Sequence, residues 1–148
     1  MKPFLSILLT VLFNACFLTT FSQSKKAFFS RYPSNINCAE AQLCKLFNAE
    51  KGQQVSLMLS DNFKLEGFVS NKISKYNNTL QTLVVQLPAF NNMLMAVSKR
   101  TTANNQTVYI GHLYNHESVD GYQLRQQENN TYQFVKIETE KILQPCTQ

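Results

Sequence analysis

Tryptophan is absent from this sequence, histidine occurs twice, and glycine and proline occur four times each. Scarce glycine excludes the Gly-rich loops that cradle phosphates, since those need several backbone positions without a Cβ. No Gly-x-Ser-x-Gly elbow is present, which excludes hydrolase chemistry built on that motif. No block of like charges is long enough to act as a basic arm or an acidic tail. Internal repeats, low-complexity tracts and interdomain linkers are also missing, so a single domain is expected. The residues imply no cofactor.

What is present begins with an export signal. Lys2 supplies a short positive region, Phe4 to Phe21 is apolar apart from Ser, Thr and Asn, and Thr20-Phe21-Ser22 places small residues at −3 and −1 of a cleavage site. A cleaved signal peptide over residues 1–22 is the expectation. An uncleaved anchor is opposed by Asn14 within the run and by Lys25 and Lys26 after it. A lipoprotein anchored at Cys16, in Phe13-Asn14-Ala15-Cys16, is the alternative, although Phe13 fits that site poorly. Cleavage would leave residues 23–148, a chain of 126 residues with 13 basic and 9 acidic side chains and a net charge of +4. That length can bury a real core. The expected location is secreted or periplasmic, with no transmembrane segment in the mature chain.

Three cysteines then remain: Cys38, Cys44 and Cys146. Residues 39–47 read as a helix with Leu43, Leu46 and Phe47 as its apolar stripe, Asn37 as N-cap and Glu40 completing a capping box. Cys44 lies on that stripe and is expected to pack as a small hydrophobe. Cys38 lies before the helix, so a Cys38–Cys146 disulfide tying the domain's ends together is expected, with Cys44–Cys146 as the alternative. The polar-aromatic lead-in 23–36 offers Phe28, Phe29 and Tyr32 for docking.

After Gly52 the apolar period changes from 3.6 to 2. Val55, Leu57 and Leu59 alternate with polar neighbours, Ser60-Asp61-Asn62 turns, and Phe63, Leu65, Gly67 and Val69 resume the alternation. Further strands follow at 80–87, 93–98, 107–114, 122–127 and 131–137. Pro88 closes the strand at 80–87, the segment 99–105 reads as a loop, and Asn129-Asn130 turns the last hairpin. Connections too short for crossover helices imply an antiparallel meander of about seven strands, curled into a small barrel or sandwich. The residues 37–148 are thus read as one β-rich domain with an N-terminal helix. Val55, Leu57, Leu59, Leu65, Val85 and Phe134 are expected inside.

The helix followed by the hairpin Gln54 to Val69 resembles the opening of an Sm-like RNA-binding barrel. The resemblance covers roughly 30 residues and implies barrel geometry. That family's second motif, with its RNA-contacting Arg-Gly pair, is missing here, so no nucleic-acid partner is implied.

Four groups of residues could carry chemistry. His112 and His116, with Glu117 and Asp120, form a polar cluster in which a strand would hold the imidazoles about 13 Å apart, too far for helix-type zinc chelation. Lys72, Lys75, Lys99 and Arg100 could form a basic rim if their two loops meet, suited to a glycan sulfate, a lipid headgroup or an acidic protein. Glu138 and Glu140 read as a solvated strand end. Asn77, Asn105 and Asn129 each head an Asn-x-Thr triplet in a turn and would accept glycans in a eukaryotic secretory pathway. These residues favour a secreted or periplasmic, non-enzymatic binding or interaction domain for an extracytoplasmic partner or small ligand. One alternative is a small-ligand carrier with a cavity lined by Phe63, Leu65, Val85, Met95 and Tyr109. The other is a metal-dependent enzyme using His112 and His116.

Overall fold

Alternating apolar residues form strands here because each strand buries one face and wets the other, and the turns are set mainly by asparagine. The computed structural model describes residues 25, 27–60, 63–114, 117–129 and 131–139. Among them, five of the six non-glycine residues with positive φ are asparagines: Asn77, Asn78, Asn91, Asn92 and Asn105. Asparagine tolerates the left-handed region that glycine usually fills, which is how a glycine-poor chain makes so many tight turns.

The chain order is β1 (Asn35–Cys38), α1 (Glu40–Leu46), β2 (Gln54–Ser60), β3 (Phe63–Lys75), β4 (Leu80–Leu87), a 3-10 turn at Pro88–Phe90, β5 (Met93–Thr101), β6 (Thr107–Tyr114), β7 (Asp120–Gln126) and β8 (Tyr132–Glu138). All strands join one antiparallel sheet in the order β1-β8-β7-β6-β5-β4-β3-β2, nearly closed into a barrel. The mainly β meander with one helix is therefore as the sequence implies, with an eighth strand within what reads as lead-in and helix approach. Asn37 is part of that strand, where its Oδ1 accepts from Gln133 Nε2 at 2.9 Å. It does not cap the helix: Ala39 holds the N-cap position, with no side-chain cap bond. The expected loop at 99–105 is also shorter, because β5 continues through Lys99 and Arg100 to Thr101.

The curl is built into β3. Its register shifts between Val69 and Asn71, and β2 shifts between Met58 and Ser60, the irregularities that bend and twist a sheet. Gly67 allows the bend because a Cβ there would run into the Gln86 carbonyl oxygen.

Both barrel ends are sealed by rings. At one end Phe29, Tyr32, Phe63, Phe90 and Tyr122 pack with centroids 4.5–6.4 Å apart. At the other, Phe47 beyond α1 meets Tyr109 at 5.8 Å, and Tyr109 meets Tyr132 at 5.4 Å. The lead-in docks as expected, with Phe29 fully buried and Phe28 and Tyr32 packed against the core. Three side chains from β7 and β8 hold it. Asp120 Oδ2 accepts from Phe29 N at 3.0 Å, Tyr122 donates to the Pro33 carbonyl at 2.6 Å, and Lys136 Nζ donates to the carbonyls of Phe29 and Tyr32 at 2.7 and 2.6 Å. Leu57, Leu59, Leu65, Val85 and Phe134 are buried, and Val55 is half-buried against the core.

Cys44 is not the buried thiol expected of it. Cys38 is buried on β1, and Cys44 is exposed on α1 beside the Leu43–Leu46 stripe. The stripe is narrow, so the residue next to Leu43 turns to solvent. Burial pushes the Cys38 thiol up to about 12. Among the described residues neither has a disulfide partner, and Cys146, the expected partner of Cys38, lies outside them.

Candidate functional site

With both faces of the core committed to packing, the outer wall is where side chains are available. Residues directly opposite in neighbouring strands share a face, so the register defines the wall. On β6, β7 and β8, His112 faces Gln123, which faces Val135, and Arg125 faces Gln133. Strands β6 and β7 pair only over Gly111–Leu113 and Tyr122–Leu124. Gly121 lets them cross closely, since a Cβ there would press on the Leu113 carbonyl oxygen at 2.5 Å and Tyr114 Cβ at 2.8 Å. Beside this crossing lies an open groove of about 570 Å³, lined by Ser34, His112, Asp120, Gln123, Arg125, Lys136, Ile137 and Glu138.

Within the groove, Arg125 Nε donates to Gln123 Oε1 at 2.8 Å, which fixes the guanidinium at the mouth. His112 stands edge-on to Tyr114, with centroids 6.1 Å apart. Its Nδ1 is buried and has no hydrogen-bond partner among the described residues. A polar atom left unpaired at that depth costs about 1–3 kcal/mol.

The expected polar cluster is only partly gathered here. His112 and Asp120 both border the groove, but the Asp120 carboxylate is buried and engaged, with Oδ2 on Phe29 N and Oδ1 accepting from Ser118 Oγ at 3.0 Å. Glu117 turns away, and its Oε2 accepts from Asn91 Nδ2 at 3.1 Å. His116 lies outside the described residues, as does Glu140, while Glu138 lines the groove. Among the described residues, no group of three or more His, Cys, Asp or Glu side chains is placed to hold a metal ion.

The basic rim is divided by the pleat. Its two loops do meet at one barrel end, where Thr101 N donates to the Thr79 carbonyl at 2.8 Å. Lys75 and Arg100 flank Leu80 on the outer face. Lys99 faces Gln81 and buried Tyr109 on the inner face. Lys72, shifted inward by the β3 bulge to face Leu83, donates to the Ala49 carbonyl at 3.1 Å and pairs with Glu50 at 2.7 Å, fastening the turn after α1. Asn77 and Asn105 are exposed in turns, and Asn129 Oδ1 accepts from Thr131 N and Oγ1 at 3.2 and 2.6 Å.

Sequence reasoning missed Ser34, Gln123, Arg125 and Lys136 as groove residues. Alternation along β7 marks Gln123 and Arg125 as outward, yet nothing in one strand's pattern tells which outward residues meet across a groove. Among the described residues no helix is long and apolar enough to cross a membrane. No protein-family model, curated protein or solved structure matches this chain.

Proposed function

We propose that this protein is an extracytoplasmic, non-enzymatic binding module that takes a small polar ligand on the outside of its barrel. The observation that carries the reading is the groove itself, with His112 and Gln123 in its lining and Arg125 held beside them by its bond to Gln123. Its volume falls in the range of small-molecule sites. Arg125 suits a carboxylate or sulfate, and the imidazole and the Gln123 amide supply directional hydrogen bonds. The export reading rests on Lys2, the apolar run and Thr20-Phe21-Ser22. The carrier alternative is less well supported, because Phe63 and Tyr109, two of its supposed lining residues, pack against Phe29, Phe47, Tyr122 and Tyr132.

Titration with glucuronate, a small hydroxylated carboxylate, followed by NMR of the His112 ring and the Arg125 Nε–H, tests the site. Saturable shifts are expected, with the Arg125 shift lost in His112→Ala and the His112 shift lost in Arg125→Ala. Shifts that persist in both variants would put the ligand elsewhere, and a flat titration would remove the carboxylate-binding reading. Intact mass of the exported protein tests the compartment: the chain should begin at Gln23, and a lipid on Cys16 or a retained N-terminus would overturn that part.

A further inference from the structure

No Asp or Glu occurs between Glu66 and Glu117, a stretch that contains most of β3 and all of β4, β5 and β6 together with Lys72, Lys75, Lys99 and Arg100. Elsewhere acidic residues are interspersed with basic ones, as Lys64 and Glu66 show by pairing at 2.6 Å. The same stretch supplies five of the six exposed large hydrophobic residues among those described: Phe68, Ile73, Tyr76, Leu94 and Ile110, with only Met58 outside it.

The register gathers these features on one face. Ile73, Thr82, Ser98 and Ile110 lie in one outward row, and the Thr82 and Ser98 hydroxyls bond each other at 2.8 Å, leaving the isoleucines to solvent. The next row toward the barrel end is Lys75, Leu80, Arg100 and Val108. Beyond it the turn at Tyr76–Asn78, all in left-handed conformation, carries Tyr76 at 75% exposure. An aromatic tip, two cations and branched aliphatics thus occupy the end of this wall that carries no carboxylate, Glu66 lying near the start of β3.

We propose that the outer wall of β3–β6 docks on an anionic membrane surface, with Lys75 and Arg100 against the headgroups and Ile73, Tyr76 and Ile110 seated in the interfacial layer. Charge decides the sign of the partner, because every charged group on this wall is basic at the end where the apolar residues cluster. Shape decides its kind. The outside of a barrel is convex, and a fluid bilayer interface moulds to a convex wall, whereas a folded protein partner needs a matching concavity. Amphipathic faces of this composition bind by apolar burial plus attraction to acidic lipid. This docking does not depend on the groove.

The test is co-sedimentation of the exported protein with phosphatidylglycerol–phosphatidylcholine vesicles and with phosphatidylcholine vesicles alone. Binding to the acidic vesicles, weakened by salt, is expected. Lys75→Glu/Arg100→Glu should lower it by about tenfold or more, the scale of two basic contacts with an acidic surface. Ile110→Ser/Tyr76→Ser should lower it with both cations intact. All four positions are solvent-facing, and an unchanged thermal melt certifies each variant. Equal binding to both vesicle types, or binding indifferent to both variants, would overturn the proposal. So would concentration-dependent dimerisation lost in Ile110→Ser/Tyr76→Ser without any vesicle binding, which would make the occupant a second copy of this chain.

Discussion

The wall of β3–β6 and the wall of β6–β8 stand on the same barrel and alternate the same way inward, yet their outward residues differ in kind. The first carries exposed aliphatics and cations, and its strands are joined by tight asparagine turns. The second carries His112, Gln123, Arg125 and Glu138 around a groove and is the wall onto which the lead-in is tied. The tying is the physical difference. Lys136, Tyr122 and Asp120 reach across the barrel end to hold residues 29–33, and the groove borders that junction. On β3, Lys72 and Val69 hold the turn after α1, but from its inner side, and the outer rows of the β3–β6 wall remain a plain surface. Inward alternation therefore makes the barrel, while chain crossing at its ends makes the groove.

The strongest way to break this contrast is to compare truncations across the wall. Phe134→Ala removes a fully buried ring and should cost about 3–5 kcal/mol, and Leu57→Ala about 2–4, through transfer and cavity terms. Ile110→Ala, at a position 57% exposed, should stay within about 0.5 kcal/mol. Urea midpoints read all three. An Ile110→Ala cost equal to that of Phe134→Ala would mean the outer wall is part of a core.

A smaller effect separates two lysines. Lys136→Met removes the ammonium donor from the carbonyls of Phe29 and Tyr32, the first of which keeps its bond from Tyr32 N at 3.0 Å, and should cost about 1–3 kcal/mol, with faster hydrogen exchange in the lead-in. Lys75→Met should leave both unchanged, because Lys75 is exposed on the outer row. If exchange in the lead-in is indifferent to Lys136→Met, the tether is not what holds that segment.

How much of this was legible in the sequence depends on the range of the interaction. The period-2 runs through Leu57, Leu65 and Val85 identify inward faces because burial acts on each strand alone. Cys44 was expected on the apolar stripe and is exposed because that stripe is narrow, while the burial of Cys38 follows from the strand Asn35–Cys38 pairing with residues 132–135, almost a hundred positions away, which nothing local announces. Lys99 and Arg100 looked like one patch, but consecutive strand residues point to opposite faces. The groove depends on three strands and the Ser34 segment at once, so it was invisible to any single window.

High pH should loosen the two barrel ends. Burial, more than the neighbouring Cys44 and Glu40, raises Tyr109 from 10.0 to about 12, and burial, aided by Asp120 and Tyr32, raises Tyr122 to about 12. Cys38 rises from 9.0 to about 12. A group whose folded pKa is raised contributes stability that is whole below its unfolded pKa and is lost as pH rises through the folded value. Stability should therefore be flat at neutral pH with respect to these groups and fall from about pH 9 toward 12. Urea midpoints across that window test it, and Tyr109→Phe should flatten the fall.

The smallest expected effect on stability belongs to Cys44, and it separates inner from outer surface within ten residues of chain. Cys44→Ser alters an exposed helix position and should shift stability by no more than about 0.5 kcal/mol. Its reactivity should nevertheless be the greater, because alkylation needs a thiolate that solvent can reach. Cys38 lacks both access and ionisation: it is buried against Tyr132's strand, its Sγ faces the Ala39 carbonyl at 3.8 Å, and its pKa is pushed up. Iodoacetamide on the native protein should modify Cys44 first, located by peptide fragmentation, and Cys38 only after denaturation. The same experiment without reductant bears on the Cys38–Cys146 bond. Cys38 that labels in denaturant alone is a free thiol, whereas Cys38 that labels only after reduction was bonded. Native labelling of Cys38 ahead of Cys44 would mean that β1 is not seated on β8, and the inner face assigned to that strand would be wrong.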